Sequence, residues 1–146
     1  MRVRVVAASV VMLALAGCGG SSATLARLQA QASRVCTQTL AHTVQIGSPR
    51  VPAQTPAFLR RGIAALGPEL VDLRMLHAPS EQSGAYAAAL QSLSRELTIL
   101  SGTVRDLDRG ADPLSAIKTL QRRLAPVEAD DDAAWRTLGV PACVNR

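Results

Sequence analysis

Thiols, imidazoles and clustered carboxylates are the side chains of this sequence whose types could do chemistry. There are three cysteines, Cys18, Cys36 and Cys143. Cys18 sits inside LALAGCGGSS (13–22), at the end of an apolar run and before a Gly/Ser stretch. A thiolate can take an acyl group, a metal or a second thiol, and the compartment decides which. The histidines are His42 and His77, with Met75 two residues before the second. No Cys-x-x-Cys-His or Glu-x-x-His pattern accompanies them, and Met75 faces a different direction from His77. Both are expected at helix C-terminal ends, where the dipole favours an imidazolium. The expectation is therefore no haem, no metal and no other cofactor.

The run Asp130-Asp131-Asp132 lacks the alternating oxygen ligands and the glycine of a calcium loop. It is expected to open the last helical stretch after a kink at Pro126, where carboxylates oppose the positive end of the dipole. Glu69, Asp72 and Glu96 are read as spread over separate helices, without a histidine or serine partner. No Gly-x-Ser-x-Gly turn is present. No catalytic residue is assigned, and the chain is not expected to be an enzyme. Trp135 has two roles open to it, packing in the core or serving as an exposed binding anchor.

These side chains must be positioned by helices. Aromatic residues are Phe58, Tyr86 and Trp135 alone, so the core must be built from Leu, Val, Ile and Ala. Such a composition favours closely packed helices over strands. Residues 23–44 carry apolar positions at Leu25, Leu28, Ala32, Val35, Leu40 and Val44, which is helical spacing. IGSPRVPAQTP (46–56) breaks that pattern. Thr55 is expected as an N-cap with Pro56 in the first helical position. Leu59, Ile63, Leu66, Leu70 and Leu73 then form a second stripe that keeps phase across Pro68, which predicts one kinked helix.

Tyr86, Leu90, Leu93, Leu97, Leu100, Val104 and Leu107 form a third stripe, with Ser80 and Glu81 at its entry and Gly110 closing it. The fourth helix is expected to open on Asp112 as N-cap with Pro113 behind it. Its stripe runs through Ile117, Leu120, Leu124, Val127, Ala134 and Leu138, and Gly139 is placed as its C-cap. Short connections after the second and third helices make antiparallel neighbours. The expected fold is all-α, an antiparallel up-down-up-down four-helix bundle over residues 23–146, after a cleaved N-terminal signal peptide. In that bundle His42 and His77 lie at opposite poles, about 30 Å apart at 1.5 Å per residue.

Export is read from the N-terminus. Residues 1–4 carry Arg2 and Arg4, and residues 5–16 are apolar apart from Ser9. That run is shorter than the ~20 residues a spanning helix needs. It fits the apolar region of a secretory signal peptide. Leu15-Ala16-Gly17-Cys18 resembles the lipobox of bacterial lipoproteins, in which Leu, a small residue and Gly or Ala precede a cysteine. The resemblance implies cleavage after residue 17, a diacylglyceryl group on the Cys18 sulfur, and a tether over 18–22. It also implies a location on the extracytoplasmic face of the cell membrane, anchored by the lipid. The ending AWRTLGVPACVNR is similar to that of small uncharacterised helical lipoproteins of actinobacteria, which implies no activity.

In an exported chain, Cys36 and Cys143 make an even pair and are expected to form a disulfide. The net charge of +5 falls to +3 once Arg2 and Arg4 are removed, and the remaining arginines are scattered. This predicts a solvated helical surface and no nucleic-acid partner. The functional expectation is a non-enzymatic structural or interaction module of the cell envelope, with the membrane and an envelope protein as its partners. The alternative is a bundle that binds or senses a small apolar or amphipathic ligand.

Overall fold

The structure, a computed structural model, describes residues 20–144, with side chains from Thr24 onward. The expected leader 1–17 and Cys18 lie outside the described residues. Four helices follow in order: α1 (Gly20–Thr43), α2 (Thr55–Arg74), α3 (Ser83–Asp108) and α4 (Pro113–Leu138). Helix α1 is assigned from Gly20, so its first residues overlap the segment 18–22 read as a tether. The fold is an all-α four-helix bundle, and among the described residues there is no strand. The most extensive packing joins α3 to α4, which a four-residue connection sets side by side; α2 packs on α3, and α1 on α2.

Local sequence explains most of the helix ends. Asp112 adopts an extended backbone and its carboxylate accepts from the Ser115 N–H at 2.8 Å, capping α4 as expected. At the other end Gly139 has φ +69 and closes the helix. A side chain there would also collide with Gln29, whose Nε2 would sit 2.7 Å from the added Cβ. Gly110, with φ +92, follows α3 in the same manner. Pro68 and Pro126 are both accommodated inside single continuous helices.

One helix entry differs from expectation. Thr55 is not an N-cap: its φ/ψ of −56/−46 is already helical, because a 3-10 turn over Pro52–Gln54 runs straight into α2. Ser80 and Glu81 stand at the entry of α3 as expected, in a 3-10 turn over Ser80–Gln82 that leads into the helix at Ser83. Such turns supply part of the hydrogen bonding that a side-chain cap would otherwise provide.

The core is divided into two clusters along the bundle axis. The first takes Leu28, Ala32 and Cys36 from α1, with Leu73, Leu93, Trp135 and Leu138 from the other helices. The second is built from Leu59, Ile99, Leu100, Val104, Leu107, Leu120 and Val127, all on α2, α3 and α4. Helix α1 is therefore a fourth wall for one half of the bundle only. Its inner stripe is Leu28, Ala32, Cys36 and Thr39, whereas Leu40 (43% exposed) and Val44 (72%) point to solvent, contrary to the stripe read from the sequence. Along α3 the buried surface is wider than a 4-3 stripe and includes Ala89, Ser92, Ile99 and Thr103. Leu97 is half-buried, and Leu93 holds the centre with no exposure at all.

Leu93→Ala should therefore leave a cavity and lower stability by about 2–5 kcal/mol, measured by denaturant unfolding followed by far-UV circular dichroism. Leu97→Ala should cost less, and an equal or larger cost would contradict the packing described.

The α4 cap gives a pH-dependent expectation. The hydrogen bond from Ser115 holds the Asp112 carboxyl below its ordinary value of 3.8. A depressed folded-state pKa stabilises above the unfolded value, and that stabilisation is lost as pH falls through the folded one. Asp112→Asn keeps an acceptor but cannot titrate. The Tm of the natural protein should fall relative to that of the variant as pH drops below 3.8; parallel melting curves would show that the cap is not ionised.

Candidate functional site

Cys36 and Cys143 form a disulfide with Cα atoms 5.2 Å apart and a sequence separation of 107. Both residues are fully buried. The chain reaches this geometry by folding its tail back along α1. After the left-handed turn at Gly139, Val140 is buried and a 3-10 turn over Pro141–Cys143 lies against α1. The Gln29 side-chain amide of α1 donates to the Leu138 carbonyl at 2.9 Å, so α1 also satisfies the exposed end of α4.

The aromatic pair packs under this bridge. Trp135 is fully buried, which settles its role as core. Its indole meets the Tyr86 ring edge-on, with centroids 6.1 Å apart and planes at 80°. Its Nε1–H donates to the Asp131 carboxylate at 3.1 Å. Tyr86 donates its hydroxyl to the Leu73 carbonyl. Burial pushes the Tyr86 phenol up to about 12, so it remains a donor at neutral pH.

The three aspartates do not open a helical stretch, since α4 runs unbroken through them. The continuous turn sends them in different directions. Asp131 is buried against Trp135, Asp132 accepts from Arg136 at 2.8 Å, and Asp130 lies 3.9 Å from Arg95 of α3. The exposed pairs contribute little to stability.

His42 ends α1 and His77 follows α2. His42 lines a cleft of ≈ 100 Å³ between α1 and α2, together with Glu69, Asp72, Gln38 and Thr39. A histidine and two carboxylates thus line one cleft, contrary to the expectation that they lie apart. Glu69 is only 1% exposed. Glu69 and Asp72 lie three apart on α2, a signal that was visible; the register of α1 against α2 was not. Among the described residues no group of three or more His, Cys, Asp or Glu side chains is placed to hold a metal ion. His77 borders a second cleft with Arg27 and Met75 at the opposite pole.

A more apolar opening than either of these clefts, ≈ 300 Å³, lies where α1 stops covering the second core cluster. Phe58, Leu59, Leu66 and Leu100 form its floor. Thr39, Thr43 and Ser48 supply hydroxyls, and Glu96 supplies a carboxylate. No residue of this groove was singled out from the sequence as part of a site.

No helix among the described residues is long and apolar enough to cross a membrane. No protein-family model matches the chain, and comparison with curated proteins and with solved structures gives no match.

Reduction of the disulfide tests how far it holds the bundle. Closing a loop of 107 residues stabilises by about 4–5 kcal/mol in the chain-entropy model, native strain subtracting from that figure. The Cys36→Ala, Cys143→Ala double variant should lose stability of this order in guanidinium unfolding. Mass spectrometry of the non-reduced protein should find no free thiol at either position.

Proposed function

We propose that this protein is a lipid-anchored, extracytoplasmic module of the cell envelope, non-enzymatic, with its bundle serving a structural or interaction role. The observation that supports this reading most is the buried Cys36–Cys143 disulfide. Disulfides persist in oxidising compartments, and this one leaves Cys18 as the cysteine outside the pair. Cys18 stands where the lipobox resemblance puts the acylated residue. Two or three acyl chains would hold the protein on the membrane, because each buried methylene contributes about 0.8 kcal/mol and a single chain is marginal. Helix α1 would then rise from the bilayer, and the pole carrying Arg27, Met75 and His77 would lie nearest to it.

A second reading, binding of a small apolar or amphipathic ligand between the helices, is favoured by the ≈ 300 Å³ groove over the second core cluster. Its volume is at the lower end of ligand-sized sites, roughly 300–1,000 Å³, and it combines an apolar floor with a few polar groups.

Metabolic labelling with a fatty acid tests the anchor. The full-length protein should carry label and partition into detergent. Cys18→Ser should lose label and leader removal together, while a labelled Cys18→Ser protein would end the lipoprotein reading.

A further inference from the structure

We infer that the cleft between the start of α1 and the segment after α2 binds the phosphate of an anionic phospholipid of the bilayer, with Arg27 and His77 on the head group and Met75 against its acyl region. The inference rests on the lipid-anchor reading above and adds a reversible contact to the covalent one.

The cleft, ≈ 390 Å³, divides its lining between donors and apolar groups. Arg27 and Gln31 come from α1 and His77 from the chain just past α2, so a guanidinium, a carboxamide and an imidazole share one opening. Leu28, Met75 and Leu76 make up the apolar part. None of the lining residues is Asp or Glu. A guanidinium matches phosphate oxygens with its planar fork, and the other two groups add N–H donors.

The cationic groups are available to a ligand. Arg60, Arg95, Arg109 and Arg136 lie against aspartates, whereas among the described residues neither Arg27 nor His77 forms an ion pair. Charge also changes along the α1–α2 seam. Its middle is lined by Glu69 and Asp72, and the end where α1 begins by Arg27 and His77. The C-terminal end of α2 borders the cleft, and its dipole opposes an anion there. Its last carbonyls are partly satisfied: the Met75 N–H donates to those of Val71 and Asp72, and the Leu76 N–H to that of Leu73 at 3.0 Å. A full guanidinium charge exceeds the roughly half charge of a helix end.

Position favours a lipid as the source of the phosphate. Helix α1 is continuous from Gly20, so Arg27 stands about 10 Å along its axis from that residue. The Cα–Cβ bonds of a helix tilt towards its N-terminus, which aims the Arg27 stem at the pole where Cys18 would be acylated. Met75 lines the same cleft and is 73% exposed. A cation with an exposed apolar side chain beside it suits the boundary between head groups and acyl chains. A soluble phosphate would use the donors and leave Met75 in water.

Photo-crosslinking of the protein expressed from the full chain and held in phosphatidylcholine nanodiscs tests the inference. The probes are a phosphatidylglycerol and a phosphatidylcholine, each carrying the same diazirine at the head-group end of one acyl chain, with adducts mapped by mass spectrometry. The phosphatidylglycerol probe should label peptides containing Arg27–Gln31 or Met75–His77 more strongly than the phosphatidylcholine probe. Unlabelled phosphatidylglycerol should compete, and inorganic phosphate at the same bulk concentration should not. Arg27→Gln should lower the preference about fivefold, and His77→Gln should lower it too. Arg61→Gln removes the same charge from elsewhere on α2 and should leave the preference unchanged. Circular dichroism checks that each variant remains helical. Equal labelling by the two probes, a preference that survives Arg27→Gln, or an equal loss in Arg61→Gln would overturn the inference and leave the anchor standing. Competition by inorganic phosphate would overturn the assignment to a lipid. An intact mass showing no acyl chain on Cys18 would overturn the anchor and the inference together.

Discussion

The return of the tail onto α1 is the constraint on which the rest of this bundle depends. Helices α2, α3 and α4 are neighbours in sequence and are joined by short connections, so their packing follows from local chain geometry. Helix α1 has no such link to α4. It is held there by the Cys36–Cys143 bridge, by the 3-10 turn that carries Cys143, and by the Gln29 amide on the Leu138 carbonyl. All three act on the N-terminal and middle parts of α1. That half of the bundle has four walls and a core containing Trp135 and Tyr86. Beyond Thr39 α1 rests on α2 and the groove opens. These contacts together hold α1 over the closed half of the bundle.

Buried polar groups reinforce the closed half. A buried indole N–H or phenol costs stability unless it is hydrogen-bonded. The Trp135–Asp131 pair is intrahelical, with partners four residues apart, so α4 delivers it whenever it forms. The Tyr86–Leu73 bond is tertiary and forms only when α3 is in register with α2. The Tyr86–Leu73 bond and the edge-on contact of the two rings are the links between helices here, and they favour one rotation of α3 relative to α2 and α4. The open half has no equivalent aromatic lock: Phe58 is its one aromatic residue and is only partly buried. Its cluster is aliphatic, and aliphatic surfaces tolerate rearrangement better than a hydrogen-bonded network does.

The two functional readings fall on different parts of this architecture. Anchoring concerns the pole where α1 begins, near the disulfide and the clefts around Arg27 and His77. Ligand binding concerns the opposite half, where α1 turns its threonines inward. A protein of this design can be held at a membrane by one end while its other end remains available. The His42, Glu69 and Asp72 cleft lies between them, on the α1–α2 seam.

Much of this protein was legible in its sequence because the relevant physics is local. Helical periods, the Asp112 cap, the Gly110 and Gly139 terminations and the toleration of Pro68 follow from residues within a turn or two of each position. The Cys36–Cys143 pairing was legible for another reason: the lipobox resemblance reserves Cys18, only two other thiols are present, and an exported chain would oxidise such a pair. What the tertiary structure alone decided was how helices meet. Leu40 and Val44 match a helical stripe, but α1 meets the other helices with Leu28, Ala32, Cys36 and Thr39 inward, which leaves those two in solvent. Ser92, Thr103 and Ile99 became core because α3 is covered on more than one side. Asp131 is buried because α4 continues through the aspartates, whereas the sequence suggested that they open a helical stretch after a kink at Pro126. The groove was invisible for the same reason, since a space is defined by what α1, α2 and α3 together leave unfilled, and no single helix encodes it.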